Sequence, residues 1–496
     1  MEFFDIRDLF RIDKRRRLRL GLWLIAVIAL TLWLFYQKYR DAEQSVYYAS
    51  MIASLVLFGA ELVWIFLCSD RRITPLILFL AAFYLVRNSQ FLLMLLGVSF
   101  DVHHLVIMKA ELKSAITLTS VGNIWAGFAG IVATVPQAEL PSAGTTEQDC
   151  ADSRRLFVFL CVGGLLSGAV AYALAILRFS QFLSGGMAAV DALGGQLPAI
   201  LPWVEALFVP FGMAAVAFYG KERFGASAIG ALTGYFLLAL FCGNLPLGAA
   251  GLFITVFLIC LQSQTTGNRA RTHVALAATG VLVLLLSLLA TVLRNLKGGE
   301  SLSLPSIAVN AFSDIGYGCF ALLAALRIVP NTESFRFGLS YAENLLGGIL
   351  PPELDPSGIL ERLTADTRIY ETWGARYFSE VTAKVGFSPD AEAYLNFGRF
   401  GFLAIFVICT LIAFFLNRYR RYGQDSRFPK YAACVLLYAC LMIPTGDSSA
   451  VLRMFLWGVL LMALAIRACR KRTCIQKGIP RRESPFVLVF PARGGG

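Results

Sequence analysis

Long apolar runs separated by short polar and often basic stretches make up most of the chain. A helix needs about 20 mainly apolar residues to cross a bilayer. Runs of that kind lie near 20–36, 46–68, 74–98, 113–135, 156–178, 200–219, 225–242, 247–262, 274–293, 399–417, 429–444 and 450–466, with 181–219 the least regular region. The pattern predicts an all-α polytopic integral membrane protein with about twelve transmembrane helices. No small-residue cleavage site follows the first run, Leu20–Tyr36, so it reads as a retained span rather than a removed signal. No internal repeat is visible, which weighs against a transporter built from two related halves.

Composition supports this pattern. Of 496 residues, 57% are hydrophobic and 15% charged, against roughly 45–50% and about 25% in soluble proteins. Mean hydropathy is +0.67, which excludes a water-soluble multidomain enzyme. Most of the formal charge of +12 lies in two tails, residues 1–19 and 467–496, each directly against an apolar run. Such flanks fit the positive-inside rule and anionic lipid, and nucleic acid is not implied. Counting spans from an inside start puts Arg71-Arg72, Lys221/Arg223, Arg269/Arg271 and Arg418–Arg421 on the cytoplasmic face, with both termini there as well.

The same count leaves residues 294–398 on the outer face. This stretch is rich in proline, and its one strong apolar segment, Gly318–Val329, is too short to span. A folded extracytoplasmic loop of short, partly interfacial helices is expected, because long ordered loops tend to carry function. The resulting division is a basic cytoplasmic tail (1–19), a bundle of about nine spans (20–293), the long loop (294–398), three further spans (399–466) and a second basic tail (467–496).

Charged residues inside spans are costly and usually face a cavity or a partner. Glu61 lies mid-span, as does the run Arg87-Asn88-Ser89-Gln90. Glu61 and Arg87 are expected either to pair, or to leave Arg87 facing an anionic ligand such as a phosphate. His103, His104 and His273 have no carboxylate or Cys at ligand spacing, and most of the eleven Cys lie inside apolar runs with no CxxC. Neither a metal site nor a disulfide framework is expected. In the long loop stand Arg294, Arg327, Arg336, Arg362, Arg368 and Arg376, with Arg399 where the next span begins. Guanidinium groups bind phosphate oxygens bidentately and keep their charge.

The segment Phe387–Gly401, with Ser388, Glu392, Tyr394, Asn396, Phe397, Gly398 and Gly401, leads straight into a span. It resembles the S-x-x-x-E-x-Y-x-N-F-G-x-x-G segment of the Wzy-type O-antigen polymerases, which polymerise oligosaccharide repeat units. Three further segments resemble the same family in the same order. They are Ser313-Asp314-Ile315-Gly316, Phe337-Gly338-Leu339-Ser340-Tyr341 followed by Pro351-Pro352, and Pro444-Thr445-Gly446-Asp447. Asp314 stands where Glu is more usual, and Thr445 where Arg often precedes Gly-Asp.

The resemblance implies a fold similar to the lipid-dependent (type C) glycosyltransferases and an enzyme of the bacterial inner membrane. Such an enzyme transfers a growing glycan from undecaprenyl pyrophosphate to the non-reducing end of another undecaprenyl-pyrophosphate-linked repeat unit. It needs neither metal nor nucleotide sugar, and works with a chain-length-determining co-polymerase. The leaving pyrophosphate then needs cations and the acceptor hydroxyl needs a base. Arg336, Arg368, Arg376 and Arg399, followed by Arg87, are the expected pyrophosphate or transition-state ligands. Glu392 and Asp314 are the candidate carboxylates, and Tyr341, Tyr394, Asn396 and Asp447 complete the substrate-binding set. Glu392, Tyr394 and Asn396 also suit a simpler task, capping the following helix and anchoring it at the interface. An O-antigen ligase and a flippase or transporter of lipid-linked oligosaccharide are the alternatives.

Overall fold

The computed structural model describes residues 14–41, 43–69, 71–96, 109–134, 154–194, 197–198, 200–220, 222–242, 245–263, 269–298, 316, 318–349, 388–417, 427–442 and 448–476. Among them there is no strand. The long helices are α1 (Lys14–Tyr39), α2 (Gln44–Cys68), α3 (Pro75–Leu95), α4 (Lys109–Thr134), α5 (Arg154–Gly194), α6 (Ile200–Tyr219), α7 (Arg223–Phe241), α8 (Leu245–Ser263) and α9 (Arg269–Gly298). Three short helices follow, α10 (Cys319–Ile328), α11 (Leu339–Ile349) and α12 (Pro389–Phe397). A 3-10 turn, Gly398–Phe400, joins α12 to α13 (Gly401–Asn417), and α14 (Arg427–Leu441) and α15 (Ser448–Gln476) complete the described chain.

Nine helical segments among the described residues are long and apolar enough to cross a membrane, the last being Pro389–Asn417, which runs through α12, the 3-10 turn and α13. Helices also occupy the other three expected spans, but their apolar parts are shorter: Leu247–Leu261 in α8, Met454–Ala468 in α15 and the 15 residues of α14. Large apolar side chains face outward on α1 (Leu22, Ile25, Leu32), α5 (Leu165, Leu166) and α9 (Leu282, Leu285), as expected where the surrounding solvent is lipid. The irregular region after 181 is explained by α5, which continues to Gly194 through a break at Gly186, where φ is 68°.

Local sequence sets the helix boundaries. Thr74 Oγ1 caps α3 by accepting from the Ile77 N–H at 3.4 Å, and Pro75 occupies the first turn, where a missing N–H is harmless. α12 likewise begins with Pro389 and ends at Gly398, whose φ of 56° turns the chain before α13.

α4 is the organising helix, enclosed along most of its length by α1, α2, α3, α10, α12 and α13. Its sequence is rich in Gly, Ala, Ser and Thr, which lets neighbouring backbones approach closely. Each of three glycines admits a specific neighbour. Gly122 leaves room for the Arg87 guanidinium and for Ile405, Gly127 for the Glu61 carboxyl, and Gly130 for Leu80 and Ile65. Among the short helices, α10 is buried against α3, α4 and α12. The apolar segment too short to span is thus packed inside the protein.

A Cβ at Gly130 would lie 2.6 Å from Leu80 Cδ1 and 2.8 Å from Ile65 Cδ1, whereas one at Gly59 would meet nothing within 4 Å. Gly130→Val is therefore expected to destabilise the protein by about 1–3 kcal/mol, as overpacking generally does. Gly59→Ala should melt within error of wild type. Thermal unfolding of both variants in detergent, alongside wild type, checks this.

Candidate active site

The polar run of α3 meets the start of α12. Arg87 is 4% exposed, and its Nε and Nη2 form a bidentate ion pair with the Asp390 carboxylate. Its Nη1 donates to Asn123 Oδ1 of α4 at 2.9 Å, and the guanidinium lies 4.5 Å from the Phe83 ring centre. The expected Glu61–Arg87 pair does not form. Glu61 turns instead toward Gly127, wholly buried, and neither of its oxygens has a hydrogen-bond partner. The reason is geometric: α12 returns an acidic residue to Arg87, while Glu61 lies against a different stretch of α4. A small cleft opens beside the pair, with Phe79, Phe83, Val86 and Leu322 among its apolar walls and Arg87 and Asp390 among its polar ones.

The next feature is a latch between two segments more than fifty residues apart in sequence. The Arg336 N–H donates to Leu395 O and the Phe337 N–H to Asn396 O, each at 3.1 Å. Gly338 N–H donates to Asn396 Oδ1 at 2.8 Å, and Asn396 Nδ2 donates to Ser340 Oγ at 2.6 Å. Ser340 Oγ in turn donates to Glu392 Oε1 at 3.1 Å. Asn396 Nδ2 also donates to Glu392 O one helical turn back, at 2.8 Å. Glu392 is 2% exposed, and burying so many polar atoms is tolerable only because they satisfy one another. The segment reaches this position by turning at Phe337 (φ 50°) and Gly338 (φ 92°), where glycine is the residue that suits the second position.

Of the remaining expected residues, Arg336, Tyr341, Tyr394 and Arg399 fall around this latch. The Arg336 guanidinium lies 3.6 Å from the Glu343 carboxylate of α11 and is partly exposed. Tyr341 stacks on Phe397, with ring centres 6.4 Å apart. Tyr394 donates its hydroxyl to Val329 O at 3.2 Å, fixing α12 to the end of α10. Arg399 is exposed on the 3-10 turn. Gly316, from the Ser313–Gly316 segment, packs directly against Ser89 and Gln90 of α3. Asp314, Arg368, Arg376 and Asp447 lie outside the described residues.

Sequence reasoning assigned no role to Asp390, Glu343 or Asn123, and Ser340 entered it only as part of a motif. Asp390 was findable in principle, because a mid-span arginine demands a counter-charge and Asp390 stands two residues before Glu392 in the segment already singled out. A second polar cluster was also missed. Arg178 of α5 holds Glu205 of α6 through two hydrogen bonds of 2.6 and 2.9 Å, and Tyr235 of α7 donates to the same carboxylate at 2.9 Å. Its signal was a charge at the end of one apolar run and an opposite one near the start of the next.

The family described as O-antigen polysaccharide polymerase Wzy matches residues 22–477. No curated protein sequence and no solved structure matches the chain.

Removing one member of a buried ion pair leaves an uncompensated charge, a loss of about 3–5 kcal/mol, while replacing both with apolar residues is often close to neutral. Arg87→Met and Asp390→Leu are therefore expected to lower the melting temperature in detergent far more singly than together. Additive losses in this double-mutant cycle would show that the two side chains do not act as a pair.

Proposed function

Because the chain belongs to the O-antigen polysaccharide polymerase Wzy family, whose members act on lipid-linked repeat units, we propose that the latched segments Arg336–Tyr341 and Glu392–Asn396 form its glycosyl-transfer site. One observation carries this reading. Two segments distant in sequence are bound together by a buried network of hydrogen bonds, beside a partly exposed arginine and next to the start of α13.

In this scheme the bond between the anomeric carbon and the carrier pyrophosphate breaks, and a bond to the acceptor hydroxyl forms. Negative charge grows on the leaving phosphate oxygens, where guanidinium groups are the fitting counter-charge. Arg336 supplies one, with Arg368, Arg376 and Arg399 as further ligands. Arg87 ranks last, since Asp390 already occupies two of its donor positions. The acceptor proton passes to a carboxylate, Glu392 or Asp314. Tyr341, Tyr394 and Asn396 orient the two segments and the sugar, and Asp447 belongs to the same binding set. The carrier is undecaprenyl pyrophosphate, and product length is set together with a separate co-polymerase. The enzyme lies in the inner membrane, its long loop on the outer face and both termini in the cytoplasm, an orientation supported by the four basic clusters.

A second reading of Glu392 is favoured by its burial, namely that it braces Ser340 rather than taking a proton. Glu392→Gln separates the two, because glutamine keeps an oxygen for the Ser340 hydroxyl. The expected result is turnover lower by about 10²–10⁴-fold, the usual contribution of a general base, with donor binding unchanged. A normal product ladder would assign Glu392 to the brace.

The function itself is tested by the electrophoretic ladder of surface polysaccharide in a host lacking the gene. A surface lipid carrying one repeat, with the ladder restored by the intact gene, is expected of a polymerase. Long polymer left on its carrier would mean a ligase, and repeats trapped inside the cell a flippase. In the same assay Arg336→Ala should leave single repeats while the protein still accumulates in the membrane. Arg336→Lys should recover little, because an ammonium cannot reproduce a bidentate contact.

A further inference from the structure

α11 is amphipathic in the inverted sense. Among its described side chains the buried ones are polar, Ser340 in the latch and Glu343 beside Arg336. Its outward residues are apolar: Leu339 is 54% exposed, Leu345 46%, and Ala342 lies exposed between them. Just before it, Phe337 is 80% exposed and held at φ 50°. A bulky residue seldom adopts that conformation, and it persists only where surrounding contacts impose it. Here the imposing contacts are the hydrogen bonds from the Arg336, Phe337 and Gly338 N–H groups to the end of α12. Their effect is to hold a phenyl ring outward.

The patch does not end at α11. Tyr341 stacks on Phe397, which is itself exposed, and Phe400 is 68% exposed on the next turn. From Phe400 the exposed apolar positions run on as Leu403, Val407 and Leu411 of α13, a helical stripe on a candidate membrane span. Exposed Arg399 stands beside Phe400 at the head of that stripe, the usual place for a cation at the level of lipid head groups.

We propose that α11 and Phe337 dock into the bilayer, so that this short helix is an interfacial membrane anchor continuous with the lipid-facing side of α13. The occupant of the patch is phospholipid, the acyl chains and glycerol region of the leaflet into which α13 enters. Continuity with a membrane-spanning surface carries the assignment, and the inverted polarity of α11 requires an apolar medium outside it. On the reading of the latch as a transfer site, the anchor sets that site at the bilayer surface, where a lipid-borne pyrophosphate resides. The anchor itself does not depend on that reading.

The test is photo-crosslinking of the full chain in vesicles of phosphatidylethanolamine and phosphatidylglycerol. Benzoylphenylalanine placed at Phe337, Leu339 or Leu345 is expected to yield phospholipid adducts by mass spectrometry, and at exposed Asn331 at least tenfold fewer. The unmodified protein, in vesicles carrying a phospholipid with a diazirine on its acyl chain, should be labelled within the tryptic peptide that begins at Phe337. Crosslinks to residues 350–387, to a second copy of the chain or to another protein would overturn the assignment. So would equal lipid labelling at Asn331 or an unlabelled peptide. The readout requires no polymerase activity, so its failure is distinguishable from failure of the proposed function.

Discussion

A guanidinium inside a bilayer has no water to solvate it, so the protein must supply every partner it needs. For Arg87 these are Asp390, Asn123, the Thr119 carbonyl and the face of Phe83. They come from three helices, and meeting this one demand ties α3, α4 and α12 together. Much of the remaining arrangement is consistent with it. Gly122 must be small because the guanidinium passes there, and α12 must begin deep enough in the bundle to bring Asp390 to the pair. α12 in turn carries Glu392, Tyr394 and Asn396. A charge that costs about 2.5–3.5 kcal/mol to insert thus becomes a specific docking contact once its counter-charge arrives.

The latch extends that order outward. With α12 fixed on one side by Arg87 and on another by Tyr394 against the end of α10, its last turns form a rigid edge. The Arg336–Ser340 segment binds to this edge much as a strand binds to its neighbour, although no sheet forms. Three backbone N–H groups and one serine hydroxyl find their partners on α12. A partly exposed arginine is thereby held on backbone fixed by hydrogen bonds, the kind of preorganisation that the proposed transfer site calls for. The family to which the chain belongs uses lipid-linked substrates, and the proposed site lies beside a membrane-spanning helix.

Packing of the bundle follows the rules of lipid rather than those of water. Polar side chains gather at α3, α4 and α12, and in the separate Arg178–Glu205–Tyr235 cluster, while leucines, isoleucines and valines cover the outside. The inverted polarity of α11 is the local expression of the same rule. Small residues on α4 complete the arrangement, because close backbone approach replaces a hydrophobic drive that is absent between helices in lipid.

Much was legible in the sequence because membrane burial acts on single segments. Apolar runs of sufficient length marked the helices, the short run Gly318–Val329 forms a helix of only ten residues, and the family resemblance agrees with a family match over residues 22–477. The mid-span charges announced that partners existed. Their identity was another matter: Glu61 is nearer in sequence, yet Asp390, about three hundred residues away, is the one Arg87 meets. The sequence offers both carboxylates, and the choice between them depends on where α12 enters the bundle and on which stretch of α4 each residue meets. The same holds for Ser340 and Asn396, ordinary polar residues until the fold brings them within 2.6 Å. Solvent preference is a property of the segment and can be read from it, whereas partnership is a property of the assembled bundle.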